Sequence, residues 1–116
     1  MKKKRRIVNW SEVEEEIKNH IIYELRFLFP EIKTLKRRAK RYARTSYGSP
    51  RMLCIFHQEK TPSLACSMNR GLFHCFGCGQ GGSIIDYYVH RKEVDYHQAV
   101  VELARIFKIK ICWANV

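Results

Sequence analysis

The sequence predicts an α+β fold, in which short antiparallel strands are pinned at one end by a metal site and flanked by helices, behind a basic helical extension. Three observations carry this expectation. Cys54-Ile55-Phe56-His57 and Cys75-Phe76-Gly77-Cys78 form two pairs of metal-ligating residues with seventeen residues between them. Inside that spacer, two short runs at 64–67 and 72–75 flank Asn69-Arg70-Gly71, a turn where Asn and Gly tolerate positive φ. Outside the pairs, apolar residues recur mostly at helical spacing.

Taken in order, Met1-Lys2-Lys3-Lys4-Arg5-Arg6 reads as a disordered basic tail, either a nucleic-acid arm or solubilising charge. Ser11-Glu12-Val13-Glu14 reads as a capping box, with Glu12, Glu14, Glu15 and Glu16 matching the positive start of a helix. Val13, Ile17, Ile21, Leu25 and Leu28 mark one packing face of that helix, which Pro30 ends. Ile22, Tyr23, Phe27 and Phe29 add apolar surface beyond one stripe, and this surplus suggests a partner surface. Residues 31–44 read as a second helix with Ile32, Leu35, Ala39 and Tyr42 inward. Ser46, Gly48, Ser49 and Pro50 supply a linker.

Residues 51–55 should form a strand feeding the first ligand pair, followed by the hairpin. Gly79-Gln80-Gly81-Gly82 is too short for a phosphate loop and lacks the Lys-Ser/Thr that would follow one. Ser83-Ile84-Ile85-Asp86 caps a short helix with Ile84, Ile85, Tyr88 and Val89 on one side. Asp95 and Gln98 cap another, with Ala99, Val100, Leu103, Ala104 and Phe107 inward. Residues 108–113 alternate enough to close the chain as a strand.

Three thiolates and one imidazole, from Cys54, His57, Cys75 and Cys78, suit one closed tetrahedral zinc site with no position open to water. Two residues between ligands let one tight turn present both side chains to one ion. Such a site is structural. A set of buried inert thiols is the plainer reading of any one cysteine, but not of two spaced pairs flanked by Gly77 and Gly79. Disulfides need an oxidising compartment. The basic tail is not followed by an apolar signal core, and five cysteines is an odd number. Cytosolic zinc is the expectation, with Cys66 and Cys112 as core residues. His74 adjoins Cys75, but its side chain should leave the strand on the opposite face, which favours His57 as fourth ligand.

At 116 residues the chain is one domain plus an arm. No apolar run approaches the ~20 residues of a membrane span. The net charge of +11 is uneven. Residues 1–51 hold fifteen Lys/Arg against six Glu, a net of +9, while residues 52–116 hold seven against five acids, a net of +2. Lys33, Lys36, Arg37, Arg38, Lys40, Arg41 and Arg44 place seven cations within twelve positions, enough to track a phosphate backbone. An anionic membrane surface would satisfy the same field.

The two ligand stretches also carry a family likeness. At Cys54-Ile55-Phe56-His57-Gln58-Glu59-Lys60-Thr61-Pro62-Ser63-Leu64 and Phe73-His74-Cys75-Phe76-Gly77-Cys78-Gly79-Gln80-Gly81-Gly82, the chain resembles the Cys-His-Cys-Cys zinc-binding domain of DnaG-type bacterial and phage primases. The likeness covers about residues 47–111, so the chain divides into a basic helical extension, 1–46, and a zinc-ribbon domain, 47–116. Ile55 stands where the family has proline, Leu64 where it has an aromatic residue, and Ser83 where it has an acid. No ligand is lost. The resemblance implies a zinc ribbon, a small antiparallel sheet with zinc at one end and helices packed beside it.

It also implies a module that reads single-stranded DNA template and assists primer synthesis, while a separate primase, polymerase or helicase chain performs or supports the chemistry. Nucleotidyl transfer needs clustered carboxylates for two metal ions. Asp86 and Asp95 are the only aspartates and read as helix caps, so the chain is not expected to make primers alone. By resemblance, Arg51, Lys60, Thr61, Arg70 and His74 line the DNA surface, with the cations of 33–44 on the phosphates. Phe73 and Phe76 either stack bases or pack the core. A zinc-ribbon regulator or protein adaptor from a mobile element is the alternative. A redox enzyme built on Cys75-Phe76-Gly77-Cys78 would leave the first pair without a role. The expected location is the cytoplasm.

Overall fold

The computed structural model describes residues 5–33, 51–58, 62–67 and 70–115. Among them the order is β1 (Arg5–Ile7), α1 (Trp10–Lys18), two 3-10 turns (Ile22–Leu25 and Pro30–Lys33), then β2 (Arg51–Met52) and β3 (Leu64–Cys66). β4 (Leu72–Cys75), β5 (Gly81–Ser83), α2 (Ile84–Lys92), α3 (Tyr96–Ile106) and β6 (Trp113–Asn115) complete it. The fold is α+β, with an antiparallel four-stranded sheet in the order β2-β3-β4-β5 and a separate β1-β6 ladder.

The hairpin forms where Asn69-Arg70-Gly71 implied it, pairing Leu64 with Cys75, Ala65 with His74 and Cys66 with Phe73. Leu72 and His74 are exposed while Phe73 and Cys75 are buried, the period-two alternation of a strand with one wet face. The dry face meets α2. Ser83 caps that helix by accepting the Ile85 N–H, and the Asp86 carboxylate returns to the Ser83 N–H. Asp95 caps α3 by accepting the Gln98 N–H at 2.7 Å. Ala99, Val100, Leu103 and Ala104 of α3 are buried with Ile84, Ile85, Tyr87 and Tyr88 of α2. Tyr87 is buried where Val89, expected inward, is only partly covered.

The first half departs from expectation. One helix running to Pro30 is replaced by the nine residues of α1 and two 3-10 turns. The break has a local cause. Ile21 is extended (φ −102°, ψ 155°), and the Glu24 carboxylate receives the Ile21 N–H at 2.8 Å and faces the His20 ring at 3.1 Å. A side chain thus takes the backbone donor that a continued helix would use. Of the surplus apolar residues, Ile22 and Phe29 are buried in the core and Tyr23 is partly covered, leaving Phe27 exposed. The cap at Ser11 does not form either. Trp10 already begins the helix, and the Asn9 side chain instead bridges the C-terminal segment, accepting the Cys112 N–H and donating to the Lys110 carbonyl.

Arg5 and Arg6, expected in a disordered tail, pair as β1 with Asn115 and Ala114. The closing strand is accordingly Trp113–Asn115 rather than 108–113, and the strand feeding the first ligand pair is Arg51–Met52 alone. β5, Gly81-Gly82-Ser83, is a further strand. A Cβ on Gly82 would lie 2.6 Å from an Asp86 carboxylate oxygen, so glycine there lets the helix cap close against the strand. Most of the second predicted helix, and the 46/47 boundary, lie outside the described residues.

Candidate metal centre

β2 leads into the first ligand turn, and β4 leads into the second. Hydrogen bonding sets both turns around sulfur: the Phe56 N–H donates to Cys54 Sγ at 3.2 Å, and the Gly77 N–H donates to Cys75 Sγ at 3.3 Å. Gly79 closes the second turn at φ +80°, a conformation glycine adopts freely, with its N–H on the Cys75 carbonyl at 2.9 Å. The ligand atoms of Cys54, His57, Cys75 and Cys78 then lie within 4.8 Å of one another. Cys54 Sγ is 3.8 Å from Cys78 Sγ, and Cys75 Sγ is 3.9 Å from His57 Nδ1.

These spacings fit zinc. A tetrahedron with ~2.3 Å zinc–sulfur bonds has sulfur–sulfur edges of about 3.8 Å. None of the five cysteines is joined in a disulfide. Burial above all, with the neighbouring Cys75 and Cys78 sulfurs, pushes the Cys54 thiol up to about 12 against the opposing Phe56 and His57 N–H groups. Three sulfurs and an imidazole held this close are a donor set suited to a zinc ion. Zinc bound there supplies a structural crosslink with no open coordination position. Cys66 is buried among core residues, its thiol also pushed up to about 12 by burial, whereas Cys112 is exposed rather than in the core.

His74 leaves β4 on the face opposite Cys75 and is not in the quartet. It sits in a row across the sheet: Arg51 pairs with Ala65, Ala65 with His74, and His74 with Gly81. The row is flat because its flanking members are small. A Cβ on Gly81 would come within 3.2 Å of His74 Nδ1. Phe76 turns its ring to His74, with centroids 4.8 Å apart, and the Arg51 guanidinium lies 4.7 Å over that same ring. A shallow groove of about 430 Å³ runs along Ala65, Leu72, His74, Phe76, Gly81 and Gly82.

The other expected contact residues are not gathered here. Phe73 is only 6% exposed and stacks on Phe56 in the core. Arg70 lies in the hairpin turn, where the Gly71 N–H meets the Lys18 carbonyl at the end of α1. Lys33 is exposed at the end of the second 3-10 turn. Lys36, Arg37, Arg38, Lys40, Arg41, Arg44, Lys60 and Thr61 lie outside the described residues. The sequence reading passed over His90, whose Nε2 is 3.1 Å from the Ile55 carbonyl in the first ligand turn. Its position at the basic end of α2 reads only as a match to the helix dipole.

Among the described residues, no helix is long and apolar enough to cross a membrane. The DNA primase of Treponema pallidum is 42% identical over 52 residues, spanning 45% of this chain and 9% of that protein. The DNA primase of Mycolicibacterium smegmatis is 44% identical over 61 residues, spanning 53% of this chain and 10% of that protein. The chain thus corresponds to about a tenth of these relatives' length. The crystal structure of the Aquifex aeolicus primase, zinc-binding and RNA polymerase domains, aligns with a TM-score of 0.53 at 30% identity. That alignment covers 78% of this chain and 22% of the other. The family profile described as the CHC2 zinc finger, a zinc ribbon of DnaG type, matches residues 15–115, and the chain belongs to that family.

Proposed function

We propose that this chain is a primase-type zinc module that binds single-stranded DNA template on the open face of its sheet and assists primer synthesis by a separate catalytic chain. The observation that carries the reading is the row Arg51–Ala65–His74–Gly81 with Phe76 beside it. Single-strand binders join cations for phosphates to rings on which unpaired bases stack, and this face offers both at the rim of a shallow groove. Lys60, Thr61 and Arg70, with the seven cations from Lys33 to Arg44, extend the proposed surface on the strength of charge and resemblance.

The two aspartates serve the fold in this reading. Asp86 and Asp95 each accept a backbone N–H at a helix start, which suits a module whose catalytic partner, a primase, polymerase or helicase chain, lies elsewhere. The regulator or adaptor alternative drew on the apolar surplus of the first helix, and burial of Ile22 and Phe29 removes half of that surplus.

Binding of the zinc-loaded protein to labelled single-stranded and duplex oligonucleotides across a salt series tests the proposal. Tighter single-strand binding is expected, lost on chelation. Phe76→Ala should cost ~1–3 kcal/mol if one base stacks there. Arg51→Ala should flatten the logarithmic salt slope by about 0.7 for one phosphate on a single strand. Duplex preference would favour the regulator, and wild-type affinity in both variants would remove the sheet face from the site.

A further inference from the structure

We propose that His90 is a positioning residue for the metal centre, acting through one peptide group of the first ligand turn. The peptide between Ile55 and Phe56 has both of its polar atoms engaged. Its N–H points at Cys54 Sγ at 3.2 Å, and its carbonyl meets His90 Nε2 at 3.1 Å. A carbonyl only accepts, so Nε2 carries the proton and donates. The six atoms of a peptide group are coplanar, so fixing the direction of the carbonyl fixes the direction of the N–H on its other side. His90 therefore aims the Phe56 N–H at the Cys54 sulfur. Hydrogen bonds in series polarise one another, which strengthens the N–H bond to a thiolate.

The ring contacts reinforce this placement. His90 packs against Phe56, with centroids 4.3 Å apart, and Phe56 in turn stacks on the buried Phe73 at 5.3 Å and 13°. The turn is thus held from two sides, by the sheet through Phe73 and by α2 through His90. α2 itself is capped by Ser83, the last residue of β5, so the sheet edge, the helix and the first ligand turn form one closed circuit. Cys54 has little strand to hold it. It enters on a two-residue strand, in a turn where Leu53 is 50% exposed.

Zinc release from the loaded protein to a chromogenic chelator, measured for wild type and three variants, tests the assignment. Loss of a group that orients a ligand costs ~10–100-fold in metal affinity, so His90→Ala should release zinc on the order of tenfold faster. His90→Phe keeps a ring on Phe56 but has no donor, and should behave like His90→Ala. The side-chain amide of His90→Gln can donate to the same carbonyl and should restore slow release. Cobalt-substituted samples of all three should keep the wild-type absorption bands, since His90 is not a ligand. Wild-type release from the Ala and Phe variants would overturn the proposal. So would equal acceleration in all three, which marks general loss of packing, or a changed cobalt spectrum, which marks a ligand.

Discussion

Gly71 joins the hairpin to the end of the first helix by close backbone approach. A Cβ there would lie 2.5 Å from the His20 carbonyl oxygen and 3.0 Å from the Ile84 side chain, while the Gly71 N–H donates to the Lys18 carbonyl at 3.2 Å. None of these neighbours is the free end of a flexible side chain, so the methyl of Gly71→Ala must push backbone. Overpacking of this kind costs ~1–3 kcal/mol. Urea denaturation should give a lower midpoint for Gly71→Ala, with zinc content unchanged because the site lies at the other end of β4; an unaltered midpoint would mean that the turn moves away without cost. Sequence reading at this scale succeeds where a residue's partners are near in the chain. Ser83, Asp86 and Asp95 were legible as caps for that reason, and the four ligands were legible because each pair is one turn. His90 and Asn9 were not. Their partners lie 35 and 101 to 103 residues away, and nothing in the local pattern signals them.

Between elements, the second 3-10 turn is held to α2 by a charged knot at Glu31. Arg91 donates to its two oxygens at 2.7 and 3.2 Å, Tyr87 donates to one at 3.0 Å, and the Arg91 guanidinium lies over Phe29 at 4.7 Å. Burial alone would raise the Glu31 carboxyl, but the bonds from Arg91, its own backbone and Tyr87 bring it below the usual carboxylate value, and burial pushes the Tyr87 hydroxyl far up. A carboxyl depressed in the folded state contributes stability that is complete above its unfolded pKa and vanishes as pH falls through the folded one. Glu31→Gln should therefore be less stable than wild type at pH 7 by on the order of 1–2 kcal/mol. That gap should close on acidification below about pH 4. Urea midpoints at pH 7, 5 and 3 decide it: a gap independent of pH would assign the effect to packing. Element types were legible where the hydrophobic period and the caps agreed, as in α2, α3 and the hairpin. They were misread where a distant partner or a local side chain decided the outcome. β1 is a strand only because β6 pairs with it, and the first helix stops only because Glu24 captures the Ile21 N–H.

Across the whole molecule one apolar core joins both halves of the described chain. Ile17, Ile22 and Leu25 from the first half are buried in the same cluster as Leu64, Phe73, Ile84 and Leu103. The zinc end is the thin part of this arrangement. In the first ligand turn Cys54, Ile55, Phe56 and His57 are only partly covered, and Cys78 is exposed in the second. Apolar burial therefore cannot hold the ligand turns by itself. Structural zinc contributes ~10–16 kcal/mol of apparent binding energy that is also folding energy. Whole domains are stable by only ~5–15 kcal/mol, so the metal term is as large as the total. Chelation should accordingly unfold the region around 52–82, with a marked fall in Tm and loss of amide protection through β2, β3, β4 and β5. The loss should start at the ligand turns, because the sheet's dry face is still covered by α2 when the ion leaves. Circular dichroism, melting and hydrogen exchange with and without chelator check this. Unchanged spectra and melting in the chelator would mean that the shared core alone holds the ribbon, and that the quartet is dispensable for the fold it sits in.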